Sequence, residues 1–152
     1  MTQEFQIVNA IEDIKKRIND LLDTDAIIVY SQTELERIPQ GDERLRDPNK
    51  GFVSVMYAGM AAQEGAKVAN QGMSTIGRFG VVVSFTGEDK RLKGLADPVD
   101  MIKFMTHVRT ALIGQSAPHN QKYSFVRESP ITIPNRGDGY AQEWKLPLSA
   151  KS

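Results

Sequence analysis

The chain has 152 residues, 40% hydrophobic and 25% charged, which is ordinary for one globular domain able to bury a core of its own. Nineteen Lys and Arg balance nineteen Asp and Glu, so no overall field draws nucleic acid or an anionic lipid surface. Cys is absent, which excludes disulfides, thiolate metal sites and thiol nucleophiles, and suits a reducing compartment such as a cytoplasm.

The first residues, Met1 to Phe5, show neither a basic nor an apolar leader pattern, so no secretion signal is expected. The longest apolar runs, 26–30 and 81–83, fall far short of the roughly 20 residues that cross a bilayer, so no membrane association is expected. Phe5, Val8, Ile11, Ile14 (or Lys15), Ile18, Leu21 and Leu22 recur at three- and four-residue steps, with charged residues between them. That spacing predicts an amphipathic helix over 5–22 with one buried stripe, capped by Thr2 and ended by Asp23-Thr24-Asp25. Residues 26–31 form a continuous β-branched run, which predicts a strand inside a sheet. Residues 32–50 are charged and hold Pro39, Gly41 and Pro48. They read as a long surface loop with room for one helical turn at 34–38.

A second strand is expected over 51–57. Residues 58–73, dominated by Ala, Gly, Gln and Met, read as a mobile loop or an arm extending a hairpin. A third strand is expected over 74–86, with Gly77 and Gly80 marking a bulge or bend. Asp97-Pro98-Val99-Asp100 carries the features of a helix start: Asp97 as cap, Pro98 in the first position, Asp100 as the capping-box acid. Val99 or Ile102, Met105, Val108 (or Arg109) and Leu112 would face the core, and Gly114 would end the helix in the left-handed conformation. Two further strands are expected over 122–128 and 140–148, joined through turn residues 135–139, with Pro130, Pro134 and Pro147 placing parts of them at a sheet edge. The resulting order implies an α+β domain: a mainly antiparallel sheet of about five strands with two helices packed on one face.

Chemistry is hard to place on these residues. His107 falls mid-helix beside the apolar stripe and reads as a packing residue; His119 falls in a loop with no neighbouring nucleophile motif. No His-Glu-x-x-His or other ligand spacing is present, and Asp23 with Asp25 reads as helix termination rather than a cation site. The stretch from Gly59 to Lys67 has the wrong spacing for a phosphate loop and lacks a Ser or Thr after the Lys. Lys90, Arg91 and Lys93 follow Glu88 and Asp89 and read as a solvated turn. The expectation is a protein that is not an enzyme, binds no cofactor or metal, and works by binding other subunits.

Taken together, several segments resemble the tail terminator proteins of long-tailed bacteriophages, the Mu-like contractile-tail group and related prophage elements with a lambda-like terminator fold. They are the opening helix and strand, the hairpin of 51–57 with 74–85, the capped helix running to Ala111-Leu112-Ile113-Gly114, and the closing segments Tyr123 to Pro130 and Gly139 to Leu146. The resemblance covers nearly the whole chain by pattern rather than by a diagnostic motif; other phage neck or tail-completion connectors share the architecture. It implies a homo-oligomeric ring, usually hexameric, that caps the tail tube and presents a surface for the head. The partners implied are copies of itself, the tail tube protein, and sheath or head-completion proteins. The implied setting is the host bacterial cytoplasm during assembly and then the virion tail. The two long segments are the expected contact regions: Arg37, Arg44, Arg46 and Lys50 in the first, and Met60, Gln63, Lys67, Gln71 and Met73 in the second.

Overall fold

In the computed structural model, residues 2–23, 26–38, 50–62, 75–87, 90–133 and 136–148 are described. The chain opens with helix α1 (Gln3–Asn19), where the Thr2 hydroxyl accepts from the Phe5 amide as the expected cap. The helix stops before Leu21 and Leu22. These two leave it because the backbone there pairs with a later segment: Asp23 N–H donates to Arg91 O and Lys93 N–H to Leu21 O, with Leu22 bridged to Leu92.

Strand β1 (Ile27–Ser31) runs parallel to β2 (Gly51–Ala62). Strands β3 (Thr75–Ser84), β4 (Ser124–Ile133) and β5 (Gly137–Leu148) complete one five-stranded sheet in the order β1-β2-β3-β5-β4, antiparallel from β2 onward. The α+β class and the mainly antiparallel sheet are as expected. The position of β1 is not: its unbroken apolar run predicted an interior strand, yet it lies at the sheet edge. Its residues 27–30 form an apolar run because side chains on both of its faces are packed. Ile27 and Val29 enter the core under α1, and Tyr30 is buried on the opposite face against the Phe52 ring, 5.8 Å between centroids.

Ser31 and Glu34 form a reciprocal capping box that starts a one-turn helix, α2 (Gln32–Glu36), two residues before the turn expected from sequence. The second strand, expected to end at residue 57, runs further and lengthens the hairpin. β2 continues to Ala62 and pairs with Thr75–Arg78; the rest of segment 58–73 lies outside the described residues. The bulge predicted at Gly77 or Gly80 sits on the partner strand instead, at Ala58 between Tyr57 and Gly59. Gly59 has φ of 104°, where a side chain would be strained, so it is the residue that permits the bulge. Gly77 serves packing: a Cβ there would meet Leu148 Cδ1 at 3.0 Å.

Helix α3 (Met101–Leu112) begins three residues later than expected. Its cap is Asp100, whose carboxylate accepts from the Lys103 amide at 2.8 Å. Asp97 and Pro98 lie outside because Val99 is pinned by its amide to Lys90 O at 2.7 Å and its side chain is buried. Ile113 forms the C-cap and Gly114, at φ 71°, follows in the left-handed region as expected.

Both long helices cover one face of the sheet. Ala10, Ile14 and Ile18 of α1 and Phe104, Met105, Val108 and Leu112 of α3 pack in a single cluster. Its sheet side is built from alternate strand residues: Val53 and Val55, Phe79, Val81 and Val83, Trp144 and Leu146. A buried polar chain crosses this core. Trp144 Nε1 donates to Gln142 Oε1 (3.0 Å); Gln142 Nε2 donates to Glu128 (2.9 Å) and to Met105 O (3.1 Å); Arg109 closes on Glu128. A second tie joins α1 to the segment before β4, where the Tyr123 hydroxyl donates to Asp13 (2.7 Å), which also holds Arg17 (3.0 Å).

Candidate subunit-docking surfaces

Apolar residues that the core does not take up lie at both ends of the strands. At the end where β3 begins, Gln3 Nε2 donates to Thr75 Oγ1 at 3.0 Å and so holds the first turn of α1 over the sheet. Phe5 in that turn and Val8 in the next are 59% and 51% exposed. Met60 pairs with Gly77, two residues along β3 from Thr75, and is 44% exposed.

The sequence pattern assigned Phe5 and Val8 to the buried stripe, and the structure corrects this. Strict three-residue steps fall behind the helical turn by about 60° each, so nine residues carry the stripe from Phe5 to the opposite side at Ile14. The face that packs is Gln6, Ala10, Ile14 and Ile18, with Ile7 and Ile11 against it. The small residue Ala10 and the polar Gln6 hid that face from a reading based on bulk.

Among the described residues, the outer edge of β2 has no strand partner beyond Val55. Pairing with β1 ends at Ser31 and Val55, while β2 continues to Ala62. From Met56 to Ala62 it carries no charge and no proline, the features that blunt edges elsewhere. The opposite edge, β4, is blunted by Pro130 and by a bulge at Val126.

At the other pole, where β3 ends, a cleft of about 890 Å³ opens between the first turn of α3 and the β4–β5 hairpin. Phe85, Met101, Ile102, Pro130, Ile131 and Tyr140 give it apolar walls, and Asp100 and Asp138 also line it. Ile102, expected in the core as an alternative to Val99, is 63% exposed here. Val99 is the one that is buried.

Of the residues expected at the interfaces, three are described, and they lie apart. Arg37 caps the end of α2 and is exposed. Lys50 is exposed just before β2, near the cleft pole, where its carbonyl accepts from Arg136. Met60 stands at the far pole. Arg44, Arg46, Gln63, Lys67, Gln71 and Met73 lie outside the described residues.

The groups weighed for chemistry are dispersed. His107 is half-buried on α3. His119 donates from Nε2 to Pro147 O at 2.8 Å, and its buried Nδ1 has no hydrogen-bond partner in the described structure. Among the described residues no three His, Asp or Glu converge as metal ligands, and no helix is long and apolar enough to cross a membrane. Lys90, read as part of a solvated turn, is buried to 1% exposure, its ammonium 5.6 Å from the Phe85 ring centroid. Glu34 is held below the usual carboxylate range by its bond to Lys15 and by the Ser31 amide. Burial and the Asp13 carboxylate hold the Tyr123 hydroxyl well above the usual tyrosine value.

No protein-family model and no curated protein matches this sequence. A solved structure described as the virion of a native gene transfer agent particle contains a chain similar to this one, with a TM-score of 0.50 over 91% of this chain and 91% of that chain. At 13% identity, what the two chains share is the fold.

Proposed function

We propose that this chain is a virion structural protein of the bacteriophage type, acting as a tail terminator. Copies of it close into a ring, six in number, on the end of the tail tube. The ring ends tube growth and offers the surface to which the head is joined. The observation that carries this reading is the fold likeness to a chain of a virion particle across 91% of both chains. The resemblance of the sequence to tail terminators supports the finer assignment. The apolar cleft where β3 ends, with Ile102 63% exposed beside it, supports this reading as a surface available for subunit contact.

On this reading the protein catalyses nothing and needs no cofactor. It is assembled in the bacterial host cytoplasm and ends in the tail, against tube, sheath and head-completion proteins. The test is deletion of the gene from the phage or prophage that carries it, followed by electron microscopy of the particles. Overlong, headless tails restored to normal by the gene in trans are expected. Tails of normal length joined to heads without the chain would refute the assignment.

A further inference from the structure

We propose that the sheet face turned away from the two long helices carries a docking site for an acidic segment of a partner protein, built on Arg78, Arg127 and Lys145 around Glu143.

The strand register brings these four residues together. Phe79, Trp144 and Leu146 point into the core under the helices, so their neighbours Arg78, Glu143 and Lys145 point to the opposite face. Arg78 on β3 stands directly across from Lys145 on β5. One row further along, Glu143 pairs with Arg127 on β4. Neighbouring strands lie about 4.8 Å apart and like-facing residues about 6.8 Å apart along a strand, so the three cations spring from a patch roughly 12 Å across. Gly59 and Ser124 complete the row of Arg78 and Lys145, so nothing bulky rises beside those two side chains. At the end where β3 finishes the same face is closed, with Phe52, Ser54 and Ser84 buried, which confines the site to the end where β3 begins.

Three cations face one carboxylate here, in a chain whose total charge is zero. Arg78 and Lys145 are like charges opposed across a strand pair, an arrangement that costs stability. Glu143 relieves it only in part. Its oxygens lie 3.6 Å from Arg78 Nη2 and 3.8 Å from Arg127 Nε, too far for hydrogen bonds, and its buried Oε2 accepts none. The Arg78 and Arg127 side chains are 49% and 63% exposed. Lys145 is exposed and has no ion pair among the described residues. The donors of all three are open to an oxygen anion from outside.

A carboxylate-bearing loop or peptide fits this patch better than a nucleic acid does. Guanidinium forks take carboxylates two bonds at a time. Among the described residues no aromatic ring of this face is exposed to stack a base. The balanced total charge supplies no long-range field for a polyanion, and Glu143 interrupts the run of positive charge that a phosphate backbone requires. Alternating charges on two protein surfaces can interleave around that carboxylate.

The experiment follows the fluorescence anisotropy of a labelled peptide of alternating Glu and Ser titrated with the full chain. A Lys-Ser peptide and a duplex DNA oligonucleotide of matched charge are titrated beside it. The acidic peptide is expected to bind, and to bind severalfold more weakly when salt rises from about 50 to about 200 mM. Arg78→Glu combined with Lys145→Glu should weaken it about tenfold or more. Glu143→Gln, which removes the competing carboxylate, should tighten it about threefold. Unchanged thermal melting shows that these variants fold. If the double variant melts early, Arg127→Ser, at the most exposed of the ion-paired arginines, is read in its place and should weaken binding about threefold. No peptide binding at the lower salt, or binding that the charge changes leave untouched, overturns the site. DNA bound more tightly than the acidic peptide overturns the assigned partner chemistry. The tail assignment, tested by particle morphology, survives either failure.

Discussion

Replacing Gln142 with Leu tests whether the buried polar chain organises the core. Gln142 is 1% exposed and sits between Trp144, Glu128 and the Met105 carbonyl. Leucine fills nearly the same space but accepts nothing, so the Trp144 indole N–H is left with no partner in a position that solvent does not reach. A stranded buried donor costs about 1–3 kcal/mol, and the lost bond to the Glu128 carboxylate adds about 1 kcal/mol. Arg109 still neutralises Glu128, which keeps the total near 3 kcal/mol rather than the larger penalty of an orphaned buried charge. In a chain of this length that loss lowers the melting temperature by about 9 °C. Urea unfolding should show the midpoint falling with the slope unchanged. Trp144→Phe then supplies the control: with both partners gone no donor is stranded. The double variant should be at least about 1 kcal/mol more stable than the sum of the single losses predicts. A loss under about 1 kcal/mol for Gln142→Leu, or strict additivity, would refute the account.

The start of α3 gives a discriminating pair: Asp100→Ala should cost about 1 kcal/mol, whereas Asp97→Ala should stay within about 0.5 kcal/mol in the same unfolding assay. Gly139→Ala should destabilise by about 2 kcal/mol, because the new Cβ would stand 2.5 Å from the Val83 carbonyl and neither backbone can yield cheaply; thermal melting checks it. Tyr123 is held above its ordinary value, so its neutral form stabilises the fold fully below pH ~10, and that stability declines as pH rises further. Tyr123→Phe should flatten this alkaline decline in melting temperature and leave the acid limb alone. Glu34 is shifted the other way. Its ion pair contributes above the ordinary carboxylate pKa and is lost as pH falls through the lowered value, so Glu34→Gln should trim only the acid limb. Its exposure keeps that contribution under about 1 kcal/mol.

The elements themselves were legible because each rests on interactions within a few residues of one another. Thr2 and Gly114 mark their helix ends by local geometry, and the alternation of Trp144, Leu146 and Leu148 turns three side chains to one face wherever the strand is placed. The same local rules misplaced the start of α3, since Asp97-Pro98 has every cap feature and loses only to the distant pairing of Val99 with Lys90. They also buried Phe5 and Val8, which are apolar and helical but lie on a side of α1 that no other described element covers.

The sequence alone determined the class of the fold and the order of its main elements, because periodicity and caps are properties of neighbouring positions. Only the tertiary structure decided that β1 is an edge strand among those described, that β2 outruns it, that Phe5 and Val8 stay exposed, and that an apolar cleft opens where β3 ends. Those outcomes depend on which segments meet across the sheet. A pattern of spacings along one chain records that a side chain is apolar; it cannot record what, if anything, lies opposite it.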